Sequence, residues 1–428
     1  MRLSFLSPSS HHDDALLSPW AQRLRQHFNL PMLVRWQGGK SLRLGDFEQP
    51  SITVDVRDAA GAAALLSPSL DHLGQAYVEG HIDVAGTAQD VIDVAQRLAE
   101  AGAQLDTSGR WVRRIVRKLA DASSHSKAVD RASIHYHYDV SNDFYAEWLD
   151  PAMVYSCAYF EQGDETLAEA QAKKIDHILT KLRVQPGQRL LDIGCGWGAL
   201  VLRAADHFGA RCVGITLSEN QADLARERVR AAGLQDRVEI RLQDYREVKE
   251  SFDRISSVGM FEHVGLKNLA GYFRIIHDLL APGGWALNHG ITSSDALNGE
   301  TRNGGGRFID RYVFPNGELP HIGTVLTTMQ EGGLEAIDAE NLRRHYARTL
   351  RCWSDAFEAK GAHLRTLVDE KTWRIWRMYL VGSQWAFEHD DIALFQVLCH
   401  RAGETATALP WSRDWMYKDK DETAHAAH

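Results

Sequence analysis

Three glycines spaced G-x-G-x-G close an apolar run, Leu190-Leu191-Asp192-Ile193-Gly194-Cys195-Gly196-Trp197-Gly198, and lead into a segment with helical apolar spacing, Ala199 to Phe208. A strand that enters a helix through alternate glycines bends sharply and lets its backbone approach a ligand, because a Cβ resists the conformations such a turn needs. A bare turn requires fewer glycines. The surrounding pattern repeats strand and helix. Strands are expected at Arg189 to Ile193, Arg211 to Ile215, Arg237 to Leu242, Asp253 to Val258 and Gly284 to His289. Helices are expected at Ala199 to Phe208, Glu219 to Ala232 and Leu266 to Leu280, the last stopped by Pro282-Gly283-Gly284. That alternation predicts an α/β fold, a doubly wound and mostly parallel sheet.

A dinucleotide-binding turn would set its third glycine one place later and follow it, about 20 residues on, with an acid for a ribose. Here the second strand runs into Thr216. The spacing suits S-adenosylmethionine (SAM) better than a nicotinamide or flavin, so the expected architecture is that of a class I SAM-dependent methyltransferase. In that reading Asp192, at the strand's end, serves the ammonium of the methionyl part, since a carboxylate is its natural hydrogen-bond partner. Asp244, after the third strand, stands where an acceptor for the adenine amino group is useful.

The rest of the 428 residues is arranged around this core. Residues 1–15 read as a flexible end, and 16–121 as a smaller N-terminal α+β domain with a strand at Ile52 to Val56 and a helix at Ala88 to Ala101. Residues 122–132, with Ser123, Ser124 and Ser126, read as a linker. The catalytic domain is expected over 133–428, interrupted by an insertion at 292–333 whose length and glycines suggest a lid. From Ala347 onward the pattern is mainly helical. Trp111, Ile115 and Leu119 recur at helical spacing among Arg110, Arg113, Arg114, Arg117 and Lys118. Such a basic amphipathic helix serves equally as a packed linker or as a contact to anionic lipid.

Bulk properties narrow the partners. A net charge of -9 argues against a nucleic-acid coat, and no nucleic-acid partner is expected. Five cysteines without a C-x-x-C pair suit a reducing cytoplasm, and no metal site is expected. No run approaches the roughly 20 apolar residues that cross a bilayer, so membrane contact is expected to be peripheral.

Further motifs occur in one order: His137-Tyr138-Asp139, Asn142-Asp143-Phe144-Tyr145, Leu149-Asp150-Pro151, Tyr155-Ser156-Cys157-Ala158-Tyr159-Phe160, Gly214-Ile215-Thr216-Leu217-Ser218 with Gln221, Met260-Phe261-Glu262-His263-Val264-Gly265, Phe308-Ile309, Tyr312-Val313-Phe314-Pro315-Asn316-Gly317, and Tyr346 with Arg348-Thr349-Leu350. With the glycine loop they resemble the cyclopropane-fatty-acid (cyclopropane-fatty-acyl-phospholipid) synthases and the related mycolic acid cyclopropane synthases. The likeness is dense from Ser133 to Trp353 and holds in outline over the N-terminal domain; Asn288, where a more hydrophobic residue is expected, departs from it. The resemblance implies transfer of the SAM methyl to the cis double bond of an unsaturated phospholipid acyl chain, then proton loss from the added methyl to close a three-membered ring. It implies that Tyr155, Ser156, Asp192, Gly194, Gly196, Trp197, Gly198, Thr216, Gln221, Asp244 and Tyr245 hold SAM. It further implies a bicarbonate ion held by Cys157, Glu262, His289, the backbone of Ile291, and Tyr346, with Cys157, Glu262, His289 and Tyr346 as the catalytic set. A homodimer on the inner face of the membrane, with a lipid-associated N-terminal domain, follows from the same likeness.

The chemistry sets its own demands. An alkene is a weak nucleophile, so the reacting groups must be held together in a dry pocket. The resulting carbocation needs nearby negative charge and a base that acts before water adds. Glu262 beside bicarbonate is repulsive unless the ion's hydroxyl faces it, and His289 compensates. The residues alone leave plainer readings open. Cys157 also suits a small buried apolar position, Cys195 a packing role and His263 a satisfied core histidine. The aromatics Tyr136, Tyr138, Phe144, Tyr145, Tyr155, Tyr159 and Phe160 either line a cation pocket or fill the core. Three other functions stay open: a lipid C-methyltransferase giving methyl or methylene branches, a small-molecule N-methyltransferase, and a membrane-surface protein with a dead cofactor site.

Overall fold

The computed structural model describes residues 21–22, 24–36, 39–105, 140–296, 305–314, 317–404 and 410–417. The expected flexible end, the linker, the basic helix around Arg110, and Tyr136 and Tyr138 lie outside the described residues. The chain forms two compact units. One gathers Met1–Tyr138, Glu300–Pro315 and Val368–Gly382; the other gathers Asp139–Gly299, Asn316–Leu367 and Ser383–His428.

In the first unit, β1 (Met32–Trp36), β2 (Ser41–Arg43), β3 (Ile52–Val56) and β4 (Ile82–Ala85) form a sheet in the order β2-β1-β3-β4. Only β1 and β3 run parallel. The alternation read in β3 is that of a half-buried strand, with Ile52, Val54 and Val56 inward. Three helices, α1 (Ala59–Leu66), α2 (Leu70–Val78) and α3 (Ala88–Leu105), follow it in sequence. Asp58 caps α1 and Ser69 caps α2, each by accepting first-turn N–H groups. A Cβ at Gly74 of α2 would come within 2.6 Å of Phe308, so glycine there lets the helix Gly305–Tyr312 dock. Arg374 binds Asp83 and donates to the Tyr77 carbonyl at 2.8 Å.

The second unit is built on β5 (Arg189–Ile193), β6 (Arg211–Thr216), β7 (Val238–Leu242), β8 (Phe252–Val258), β9 (Leu280–Ser293), β10 (Leu334–Asn341) and β11 (Ile392–Arg401), in the order β10-β11-β9-β8-β5-β6-β7. All pairings are parallel except those of β11. The helices of this unit include α4 (Asn142–Trp148), α5 (Leu167–Lys181), α6 (Ala199–His207), α7 (Glu219–Ala231), α8 (Leu269–Leu279), α9 (Ile322–Glu331) and α10 (Arg343–Ala359). A reciprocal capping box between Thr166 and Glu169 starts α5. Successive residues of β5 serve opposite layers: Leu190 packs with Ile178, Val201 and Ala204, and Leu191 with Phe252, Phe273 and Ile276. Chain order reverses between β5 and β8, and a ligand crevice opens at the carboxyl ends of strands at such a point.

Four expectations are corrected. The fifth strand spans Leu280–Ser293, because bending at a register shift between Phe252 and Arg254 absorbs Pro282-Gly283-Gly284. The helix before it begins at Leu269, after a short 3-10 turn at Leu266–Asn268. The C-terminal region is not simply helical, since Ile392–Arg401 is a strand buried on both faces, a pattern that reads like a buried helix. Nor is the insertion wholly a lid: within 292–333, α9 sends Val325 and Met329 into the core beside α8.

Candidate active site

The turn after β5 holds Gly194, Gly196 and Gly198 at φ +79°, +54° and +85°. All three lie in the left-handed region that a Cβ disfavours. At Gly198, which caps α6, a Cβ would also stand 3.2 Å from that of Ala225. At Gly196 nothing lies within 4 Å, so the loop presents open backbone there. Cys195 packs on Gly214, where a Cβ would approach its sulfur to 3.0 Å, and burial pushes its thiol pKa up.

The expected cofactor residues gather around this turn. Asp192 pairs in register with Ser256 across β5 and β8, and the Ser256 hydroxyl donates to its Oδ1 at 2.7 Å. Burial raises the Asp192 pKa to about 6. Thr216 ends β6 and donates to Gln221 Oε1 at 2.8 Å. Trp197 donates from Nε1 to Asn142 Oδ1 at 2.8 Å and meets the Tyr145 ring at 5.1 Å. Tyr145 in turn lies 5.6 Å from Tyr155, which places part of the aromatic set beside the glycine loop. Ser156 accepts from Lys174 Nζ at 2.7 Å. Asp244 is held by Arg246, whose backbone N–H and guanidinium both donate to it and keep its pKa below the usual carboxylate range. An adenine amino group would share that carboxylate with Arg246. Tyr245 packs edge-on against Tyr272.

The other half of the cleft is assembled by a chain of hydrogen bonds beyond β8 and β9. Glu262, in a 3-10 turn after β8, accepts the Ile291 N–H at 2.7 Å through Oε1. Gly290 is required beside it, since a Cβ would collide with the Phe261 ring at 1.7 Å. Ile291 pairs with Leu394 of β11, whose carbonyl accepts from Leu342 N at 2.8 Å. The Leu342 carbonyl then accepts Tyr346 N at 3.0 Å and the Cys157 thiol at 3.9 Å. Glu262, Ile291, Tyr346 and Cys157 are thus linked at the carboxyl edge of the sheet. His289 lies two residues before Ile291 on β9, directly opposite Gln396 of β11.

Several buried atoms here lack partners among the described residues: Glu262 Oε2, His289 Nε2 and Gln396 Oε1. Such atoms are costly unless a ligand or water completes them. Burial lifts the Glu262 pKa to about 7. Burial also drops that of His289 well below its ordinary value, helped by the charges of Lys174 and Lys181, so its ring is neutral. Gln396 Nε2 faces His289 Nδ1 at 3.2 Å. An amide donor at Nδ1 leaves the ring proton on Nε2, the nitrogen without a partner.

Some assignments shift. The Ile291 N–H is already given to Glu262, so an anion claiming it would displace Oε1. Cys157 is fully buried and its thiol donates to the Ala158 carbonyl at 3.2 Å; burial raises its pKa. Tyr346 lies against Phe387, with ring centroids 4.6 Å apart. His263 is exposed, not a core residue. Tyr159 is stacked between His177 at 4.4 Å and His345 at 4.8 Å, as core packing requires. Two residues escape the sequence reading, Lys174 and Gln396. Gln396 is a polar residue within an otherwise apolar strand, which was its signal, whereas Lys174, beside Lys173 and among Gln171 and His177, had none.

The reversal point, the glycine turn and the open backbone at Gly196 define a class I SAM-dependent methyltransferase. A family model described as mycolic acid cyclopropane synthetase matches residues 125–397, and one described as a domain of unknown function matches 19–105. The chain belongs to the mycolic acid cyclopropane synthetase family. It is 43% identical over 396 residues to a Pseudomonas putida protein named a probable fatty acid methyltransferase, covering 92% of this chain and 98% of that one. It is 40% identical over 269 residues to the cyclopropane-fatty-acyl-phospholipid synthase of Escherichia coli K12, covering 63% of this chain and 67% of that one. The solved structure of mycolic acid cyclopropane synthase CmaA1 with SAH and CTAB matches at TM-score 0.60 and 36% identity, over 63% of this chain and 98% of that one.

Proposed function

We propose that this enzyme methylates the cis double bond of an unsaturated phospholipid acyl chain and closes the adduct to a cyclopropane ring. The observation that carries this reading is that Glu262 Oε2, His289 Nε2 and Gln396 Oε1 are buried without a hydrogen-bond partner among the described residues. A methyltransferase acting on an amine needs a site for one proton, not several further buried polar atoms that call for a ligand. Their chemistry suits bicarbonate, since Glu262 Oε2 can accept its hydroxyl and His289 Nε2–H can donate to its oxygens. When bound, SAM supplies an electrophilic methyl group, and bicarbonate supplies a base.

The residues of this chain then hold the reaction in order. The glycine turn and Asp192 orient the methionyl end, and the Tyr145, Tyr155 and Trp197 rings give a face suited to positive charge. Methyl transfer leaves a cation on the adjoining acyl carbon. Loss of a proton from the added methyl lets the freed C–H electron pair close the ring. Neutral His289 can anchor the base without adding a positive charge beside that cation. Tyr155 packs against Trp148 and Trp353, which with Phe357 form a buried aromatic cluster behind it.

Among the described residues no helix is long and apolar enough to cross a membrane. In this reading the enzyme works as a homodimer that takes its lipid from the membrane surface, as the family resemblance implies. A second outcome, a methyl or methylene branch, is favoured by the fatty acid methyltransferase name of the 43% identical relative. Bicarbonate-depleted buffer provides the test. Turnover on liposomes of cis-monounsaturated phospholipid should fall and return when bicarbonate is added, with a saturated ring-bearing product. Full turnover without bicarbonate would remove the ion from the site, and an olefinic or branched product would replace ring closure with the second outcome.

A further inference from the structure

Helix α5 buries two lysines, and they are treated differently. Lys181, fully buried, meets Glu340 Oε2 at 2.5 Å and Asp338 Oδ2 at 3.3 Å. Lys174, two turns earlier and 2% exposed, has a neutral partner, the Ser156 hydroxyl at 2.7 Å, and forms no ion pair among the described residues. An ammonium buried without a carboxylate is costly, so its retention calls for an anion that completes it. The nearby carboxylates are otherwise engaged. Asp150 accepts the backbone N–H groups of Ala152 and Val154, and Asp192 accepts from Ser256. Burial pulls the Lys174 pKa down to about 8 while Cys157, Asp150 and Asp192 pull it back up.

Ser156 is only half-buried. A hydroxyl that accepts from an ammonium keeps its own proton to donate, and here it can donate outward to an acceptor in the cleft. The amino-acid end of SAM carries one ammonium and one carboxylate. Asp192 supplies the negative pole for the first. We propose that Lys174 is the positioning residue for the second: its charge acts through the Ser156 hydroxyl on the cofactor's carboxylate, so the cleft recognises the methionyl end as a zwitterion. This rests on the SAM assignment and is independent of the acyl and bicarbonate readings.

The test compares SAM with decarboxylated SAM, which keeps the sulfonium, adenosine and amine. Binding of each to the purified full chain is measured by calorimetry without lipid. Wild type should prefer SAM by about tenfold or more, the scale of one charge-assisted hydrogen bond. Lys174→Met, which fills the same volume without charge, should bind SAM about tenfold more weakly while its affinity for decarboxylated SAM stays unchanged. Ser156→Ala should collapse the preference in the same way and carries the test if Lys174→Met does not fold. The double variant should lose no more than either single one, because both act on one contact. A preference that persists in Ser156→Ala, or equal weakening of both ligands in folded Lys174→Met, overturns the proposal. Failure of wild type to bind either ligand would instead refute the cofactor assignment.

Discussion

The two halves of the cleft satisfy their polar groups in opposite ways. On the β5–β7 side, Thr216 is paired with Gln221, Trp197 with Asn142, Asp244 with Arg246 and Asp192 with Ser256. What that side offers a ligand is open backbone at left-handed glycines, together with the remaining acceptor capacity of the Asp192 and Asp244 carboxylates. On the β8, β9 and β11 side, buried side-chain atoms of Glu262, His289 and Gln396 have no hydrogen-bond partner among the described residues. The first half is largely paired within itself, Lys174 apart; the second leaves buried side-chain atoms whose desolvation cost a small polar ligand would relieve. In the proposed reading, binding of the methyl donor and control of the reaction fall to separate walls of one crevice.

Mutations can break that division. The largest effect is expected from Glu262→Gln and His289→Ala, which should lower turnover by about a thousandfold, the scale of losing a preorganised charged or donor group. Calorimetry should show SAM binding intact in both; joint loss of binding would merge the two walls into one. Glu262→Gln should also stabilise the fold in alkali. Because burial raises the folded-state pKa from 4.5 to about 7, the carboxyl's stabilising contribution is present below pH 4.5 and lost as pH rises through 7. Removing the charge should therefore gain about 3 kcal/mol at pH 8 and little at pH 4, read by denaturant unfolding. An equal gain at both pH values would mean that Glu262 is not held against its charge.

Smaller effects sharpen the comparison. Gln396→Leu removes the donor to His289 Nδ1 and should cost about tenfold or somewhat more in turnover, as loss of a residue that orients a ligand does. Its half-saturating bicarbonate concentration should rise, and an unchanged value with reduced turnover would make Gln396 merely structural. Gly194→Ala sets a methyl at φ +79° and 3.2 Å from Met260 Cγ, and should weaken SAM binding about tenfold without altering bicarbonate dependence. Unchanged SAM affinity would show that the turn tolerates a side chain.

The same contrast governs what could be read from the residues alone. The glycine turn, the five strands around it and the N-terminal β3 announce themselves through local spacing and alternation. Strands β10 and β11 did not, because β11 is apolar on both faces and β10 alternates weakly, so neither period dominates. Glu262 and His289 were legible only through the family resemblance and their places after the fourth strand and on the fifth. The hydrogen-bond chain from Glu262 toward Cys157 and Tyr346 depends on pairings across β9 and β11 that span more than a hundred positions, such as Ile291 with Leu394. Lys174 and Gln396 are long-range in the same sense, since each is defined by what it faces across the core.

The central claim is that this crevice delivers the SAM methyl carbon to an acyl double bond. Mass spectrometry of the acyl chains after incubation of the enzyme with SAM and liposomes carrying a single cis double bond tests it most directly. The account predicts chains that have gained one CH2 and lost the olefin; chains returned unchanged, with SAM demonstrably bound, would contradict it.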